Sequence, residues 1–210
     1  MPFLQSIMMQ PDEKARDLIG HIQHQIAKGW GRYLVAKYVH SARASKSVNS
    51  LHWLLGITED ATIEAAILAL SRIVVSHKSS ISVEYLLDYL EQNPSAFSHV
   101  GTDALRKQVA TDRKDLAAIA KTIENIKEQR DRTIAHLDKL HVNDPEAVYS
   151  HPPLQYQELD QVFMLLLRIV NHYTGLMRPS EEFTLAQMES GITGDIDYLT
   201  KLIQEDDARP

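Results

Sequence analysis

Apolar residues recur at intervals of three and four along most of the chain, which is the spacing of one face of an α-helix. Strand-like alternation of apolar and polar residues is missing, and so are hairpin turns of the Asn-Gly or Asp-Gly kind. The sequence therefore predicts an all-α protein.

The first predicted helix begins near Pro11-Asp12. Its buried face repeats at helical spacing and consists of Leu18, Ile22, Ile26, Trp30 and Leu34. Gly29 and Gly31 flank the tryptophan, and glycine destabilises a helix interior by about 1 kcal/mol. We therefore expect the helix to bend there.

A second helical region runs from about Ser50, pauses at Gly56 and restarts near Asp60, a suitable N-cap. Its apolar face then consists of Ile63, Ile67, Leu70 and Val74. Ser82 is predicted to cap a short third helix that Pro94 stops. The apolar side of that helix consists of Val83, Leu86, Leu87 and Leu90.

Three further helices are predicted in the second half of the chain. A long one spans about Asp103 to Leu140, and one from about Gln155 to Met177 is apolar nearly all round, which is typical of a central helix. The last is expected to start near Thr193. Its apolar residues are Ile196, Leu199, Leu202 and Ile203.

The long predicted helix carries two rows of residues that repeat every seven positions, as in a helix that meets a partner along a seam. The rows are Val109, Leu116, Ile123, Arg130 and Leu137, and Asp112, Ile119, Ile126, Thr133 and Leu140. Arg130 and Thr133 make the seam polar within one turn. Burial of an unpaired guanidinium would cost several kcal/mol, so Arg130 should face an anion, a polar partner or a water-filled cleft.

Composition narrows the class of protein. The 210 residues are 44% hydrophobic and include no cysteine, which excludes disulfides, thiolate metal sites and a cysteine nucleophile. The net charge of -6 argues against a broadly basic nucleic-acid coat. Residues 180–210 hold eight acids and two bases, whereas residues 101–140 hold nine bases and seven acids. We expect one helical domain over 1–179 and an acidic extension over 180–210.

No secretion signal is visible at the amino terminus, and the longest apolar stretch, 162–170, is too short to span a bilayer. We therefore expect a cytoplasmic protein.

Arg130 and His136 combine two chemical functions that suit metal-free cleavage of RNA. Arginine holds phosphate oxygens with a planar fork of donors, and histidine transfers protons near neutral pH. The two residues do not share a helix face. Two chains that pack antiparallel along the seam would instead bring two arginines and two histidines into one cleft. We assign proton transfer to His136, stabilisation of the phosphoryl charge to Arg130 and orientation of a neighbour to Asp131.

The string from Arg130-Asp131 to His136 resembles the signature of the HEPN superfamily of small helical ribonucleases. Together with Ile134–Lys139 it is similar to the AbiU-type clade of abortive-infection proteins. The resemblance implies a bundle of four to five main helices, a homodimer, and metal-independent cutting of single-stranded RNA without a cofactor. It also implies a toxin or phage-defence role, with an antitoxin protein as one potential partner. Arg130, Asp131 and His136 inherit the catalytic roles, and we assign RNA binding to the neighbouring Lys127, Arg132, Thr133 and Lys139.

Other interpretations stay open at this point. A noncatalytic helical dimer that binds a nucleotide or a partner protein would use Arg130 as a structural anchor. Arg16 with His21, and Arg72 with His77, have a similar spacing but interrupt no apolar seam.

Weaker patterns suggest other ligands. His21 and His24 lie near one helix face but lack an evident third metal ligand. Trp30, Tyr33 and Tyr38 have the spacing of core aromatics, although nearby bases would also allow stacking of nucleobases. The acidic end is either a solvated tail or a docking segment for a basic surface.

Overall fold

The computed structural model describes residues 10–44, 52–76, 80–97, 100–131, 154–177 and 184–207. These residues form seven α-helices, a short 3₁₀ helix (Pro94–Phe97) and no strand, so the all-α prediction is confirmed. The α-helices are α1 (Pro11–Ala44), α2 (His52–Val74), α3 (Val83–Gln92), α4 (Thr102–Ala118), α5 (Ala120–Gln129), α6 (Tyr156–Met177) and α7 (Ala186–Asp207). None of the described helices has the length and apolar content needed to cross a membrane.

Helix α1 is the centre of the bundle, because it contacts α2, α3, α6, α7 and the 3₁₀ helix. Its predicted apolar face is buried throughout, and this core includes the ring contact of Trp30 with Phe163 of α6 at 5.3 Å between centroids. Helix α6 buries most of its apolar residues, but Met164 and Arg168 are exposed. It therefore lies against α1 with one side open to solvent.

The predicted pause at Gly56 and the predicted N-cap at Asp60 are wrong, because α2 continues through both residues. Helix α1 also continues through Gly29 and Gly31, and the bend expected there stays a prediction. Gly29 is buried where α1 meets α2 and α6: a Cβ atom there would lie 3.1 Å from the ring of Phe163 and 3.2 Å from the Cβ of Ala69. This glycine allows close approach of the helices.

Helix α3 begins and ends as predicted. The Ser82 hydroxyl accepts a hydrogen bond from the Tyr85 N–H at 3.1 Å, which satisfies one free donor of the first turn. The helix ends at Gln92, two residues before Pro94. All four predicted apolar residues of this helix are buried.

The prediction of one long helix is wrong, because the backbone leaves helical geometry at Ile119 with φ -106° and ψ 17°. The Ile119 N–H is shared between the carbonyls of Leu116 and Ala117, and α5 begins at the next residue. The part of the predicted helix beyond Asp131 lies outside the described residues.

Most of the predicted seam packs against other helices of the same subunit. Val109, Leu116 and Ile126 are buried in the common core, α4 contacts α6, and α5 contacts α2. A partner chain therefore cannot pack along the whole stripe. The seam is only partly buried at Ile123 and Arg130.

Helix α7 starts at Ala186, earlier than the predicted Thr193. Leu185 is buried and Ile192 packs against the core, so the start of this helix is attached to the bundle. Leu199 was predicted as part of its apolar face but is exposed. The division into 1–179 and 180–210 stays a prediction.

We expect Gly29→Ala to lower the free energy of unfolding by about 1–2 kcal/mol, because its methyl group would press on the buried Phe163 ring and on Ala69 in a close-packed core. Gly20→Ala, in the same helix with nothing within 4 Å, is the matched control and should raise stability by about 0.5–1 kcal/mol. Urea unfolding followed by circular dichroism measures both. Equal stability of the two variants would contradict the close packing at Gly29.

Candidate functional site

The first half of the predicted catalytic motif lies at the end of α5. Ile126 is fully buried and anchors the helix, and the Arg130 N–H bonds to the carbonyls of Ile126 and Lys127. Arg130 keeps right-handed helical dihedral angles, with φ -57° and ψ -51°, so the helical path continues to the residue that carries the guanidinium.

The Arg130 side chain is paired with its neighbour. Its Nε donates a hydrogen bond to Asp131 Oδ1 at 2.6 Å, and Nη2 lies 2.6 Å from the same oxygen. The side chains are 27% and 45% exposed, respectively, so the guanidinium is neither sealed in the core nor fully solvated.

This geometry orients the guanidinium plane and partly neutralises its charge. An arginine carries five N–H donors, and this contact engages two of its nitrogens through one oxygen of Asp131. The remaining N–H groups of Arg130 can donate to an oxyanion such as a phosphate. Hydrogen bonds between a guanidinium and an oxyanion are charge-assisted and therefore strong.

Lys127 lies one turn before Arg130 and donates to Glu124 Oε1 at 3.2 Å in an exposed contact. An exposed pair of this kind is worth less than about 1 kcal/mol, so phosphate can compete for the lysine. The other predicted site residues, Arg132, Thr133, His136 and Lys139, lie outside the described residues.

The polar seam position at Asp112 has a different role. Its carboxylate is fully buried and accepts hydrogen bonds from the Tyr173 hydroxyl at 2.8 Å and from Gln108 at 3.1 Å. Burial, followed by the hydrogen bond to Asp112, raises the pKa of Tyr173. Arg168 approaches the carboxylate at 3.5 Å and also binds Asp115. Asp112 is therefore a structural link between α4 and α6.

A second polar cluster, which the sequence analysis did not single out, joins α1, α2 and α6. The Glu59 carboxylate accepts hydrogen bonds from His40 Nδ1 at 2.7 Å, from Arg43 and from the Tyr156 hydroxyl at 3.2 Å. Partial burial acts to raise the pKa of Glu59, but the hydrogen bonds from His40, Arg43 and Tyr156 outweigh it, and the pKa lies below its usual value. Glu59 is therefore held as a charged acceptor.

A cavity of about 230 Å³ lies beside this cluster and is lined by Arg43, Trp53, Gly56, Ile57 and Asp60. The sequence contains one signal for this cavity. The row of residues that forms the core face of α2 continues backward from Ile63 to Asp60, Gly56 and Trp53 at helical spacing. The polar and small residues that were interpreted as a helix pause instead line a cavity.

The structure tests some of the weaker sequence patterns. Trp30 and Tyr33 are buried in the core, so the suggestion that they stack on nucleobases is wrong, and Tyr38 is partly buried against the same core. His21 and His24 are exposed on α1. Over the described ranges, no group of three or more metal-binding side chains lies together.

A family model described as AbiU2, of the HEPN type, matches residues 12–191, which is most of the chain. Its range includes Arg130, Asp131 and His136. Searches of curated proteins and of solved structures find no match to the chain.

The lowered pKa of Glu59 predicts acid sensitivity. Its interactions stabilise the fold fully above the ordinary pKa of 4.5, and this contribution is lost as the pH falls through the lowered value. The stability difference between the wild type and Glu59→Gln should therefore shrink as the pH falls below about 4.5. Urea unfolding between pH 7 and pH 3 measures this difference. Glu64→Gln, an exposed change on the same helix, is the control; a Glu59→Gln difference that persists unchanged to pH 3 would refute the effect.

Proposed function

The chain belongs to the AbiU2 family of HEPN proteins, and on this premise we propose that it is a metal-independent endoribonuclease that cuts single-stranded RNA. The family indicates an abortive-infection function. The finer proposal is a toxin or phage-defence effector that acts in the cytoplasm and is restrained by an antitoxin protein.

The observation that carries the proposal is the environment of Arg130. This cation interrupts an apolar seam, is only partly covered, and is oriented by a carboxylate of the next residue. A purely structural arginine of the seam would be expected to reach a carboxylate on another helix, as Arg168 of α6 does with Asp115 of α4. Arg130 is paired within its own turn, which leaves part of its fork available to a phosphate.

The proposed reaction uses the ribose 2′-hydroxyl as the nucleophile. One His136 takes the proton of the hydroxyl as its oxygen bonds to phosphorus, and the bond from phosphorus to the 5′-oxygen breaks. A second, protonated His136 gives a proton to the departing 5′-oxygen. Arg130 stabilises the negative charge that builds on the phosphoryl oxygens, and Asp131 holds the guanidinium plane. DNA lacks the 2′-hydroxyl and is not cut.

The two histidines require a composite site in a homodimer. Because most of the seam is already covered within the subunit, the proposed two-fold contact involves its partly covered end, from Arg130 onward. Arg130 of one protomer then faces His136 of the other. Lys127, Arg132, Thr133 and Lys139 flank this end along the chain and bind the RNA strand.

The alternative function is a noncatalytic helical dimer that binds a nucleotide or a partner protein. The partial burial of the Arg130 side chain, which is 27% exposed, favours it, because a guanidinium that packs against the bundle can serve as a structural anchor. The ribonuclease needs the charge of Arg130 and the proton transfer by His136 for RNA cleavage. The noncatalytic dimer needs Arg130 for its structure only.

We expect the wild type to cut single-stranded RNA in the presence of EDTA. Arg130→Ala and His136→Ala should each reduce the rate by about 100-fold or more, because each removes charge stabilisation or proton transfer. Gel analysis of a labelled oligoribonucleotide measures the rates, and circular dichroism checks the fold. Arg72→Ala and His21→Ala change exposed residues and serve as controls. Cleavage that vanishes with EDTA, or that survives both site variants, would contradict the proposal.

Mixing the wild type with His136→Ala tests the composite site. After random exchange of equimolar chains, one quarter of the dimers carry two His136 side chains, so the rate should fall to about half that of the same amount of wild type alone if each cut needs both histidines. If each chain acts by itself, the rate stays unchanged. Native mass spectrometry confirms the exchange, and exchanged dimers with an unchanged rate would refute the composite geometry.

A further inference from the structure

The exposed end of α2 carries an unusual apolar surface. Trp53 is 82% exposed, and Leu54 and Ile57 beside it are also exposed, whereas Trp30 is only 3% exposed. Trp53 and Ile57 share a face, since they are four residues apart, and this face borders the cavity with Gly56 and Asp60. A large aromatic face at the rim of a cavity is suited to stacking with a flat ring.

Arg43 of α1 lines the cavity, and its side chain is 27% exposed. Its Nη1 donates to Glu59, and its Nε is buried out of reach of a ligand, so a ligand in the cavity would meet the Nη nitrogens. Gly56 lies against the guanidinium, since a Cβ atom there would lie 3.4 Å from Arg43 Cζ and Nη2. The guanidinium is therefore held at the cavity by α2 and Glu59.

We propose that this cavity, the Arg43–Trp53 site, binds a nucleoside phosphate. The Trp53 indole stacks on the base, the Arg43 guanidinium donates to the phosphate, and the Asp60 carboxylate accepts a hydrogen bond from an amino or hydroxyl group of the nucleoside. A bare anion would meet only the guanidinium and would be repelled by Asp60. A nucleotide combines a flat ring, an oxyanion and neutral donors, and so matches all three features.

The nucleotide has two chemical sources, an RNA strand or a free nucleotide. If the source is an RNA strand, the site is an additional contact for the substrate and rests on the proposed function. If the source is a free nucleotide, the site does not depend on the proposed function. The Arg43–Trp53 site is formed by α1 and α2, whereas Arg130 follows α5, so the two can be changed separately.

Tryptophan fluorescence gives a direct test, because the chain has two tryptophans and Trp30 is buried. The probes are AMP and an octamer of 2′-O-methyl adenosine, which cannot be cut because its 2′-oxygen is blocked. We expect both to quench the wild-type fluorescence. Tighter binding of the octamer identifies an RNA strand as the source, and equal or tighter binding of AMP identifies a free nucleotide.

Variants assign the binding to individual side chains. Trp53→Ala should weaken binding of a fluorescently labelled octamer, measured by anisotropy, by about tenfold. Leu54→Ala changes a neighbouring exposed apolar residue that does not line the cavity, and it should stay within about twofold of the wild type. Arg43→Gln should weaken binding and reduce its salt dependence. If Arg43→Gln unfolds the protein because the Arg43–Glu59 pair is lost, Trp53→Ala still tests the site, because Trp53 is exposed and its removal leaves that pair intact.

Absence of quenching by both probes at millimolar concentration would overturn the proposal, as would equal octamer affinity of Trp53→Ala and the wild type. Loss of self-association in both Trp53→Ala and Leu54→Ala, without nucleotide binding, would instead identify a protein-docking face. The proposed function fails separately: a wild type that binds the octamer but cuts no RNA supports this site alone. Arg130→Ala should retain octamer binding at the Arg43–Trp53 site.

Discussion

The buried carboxylate of Asp112 determines which way the seam of α4 faces. It is fully buried, and unpaired burial of such a charge would cost several kcal/mol, so α4 must keep this side against Tyr173 and Arg168 of α6. The neighbouring apolar positions are thereby covered within the subunit. The break at Ile119 then separates α4 from α5, which packs on α2 through Ile126 and ends at Arg130.

Two partly covered arginines each lie next to a carboxylate of the same chain. Arg130 is oriented by Asp131, and Arg43 is oriented by Glu59. In both cases the carboxylate limits the rotation of the guanidinium but leaves donors unused. An arginine prepared in this way loses less conformational entropy when it binds phosphate. We infer that the first acts on RNA and that the second binds a nucleotide.

Local signals in the sequence predicted local structure well. The cap at Ser82 depends on residues within one turn, and the core rows of α1 and α3 depend only on helical spacing. The break at Ile119 carries no glycine or proline and could not be predicted. Gly56 and Asp60 were misinterpreted because their role depends on Arg43 of another helix. Arg130 stands out in the sequence as a break in an apolar row, but its bond to Asp131 depends on side-chain rotamers.

The chemical identity of the RNA ends tests the central claim most directly. Mass spectrometry of a short RNA cut by the wild-type protein in EDTA measures it. A metal-free centre in which His136 activates the 2′-hydroxyl and Arg130 stabilises the phosphoryl charge predicts a 2′,3′-cyclic phosphate on one fragment and a 5′-hydroxyl on the other. Fragments with a free 3′-hydroxyl and a 5′-phosphate, which indicate attack by water on phosphorus, would contradict it.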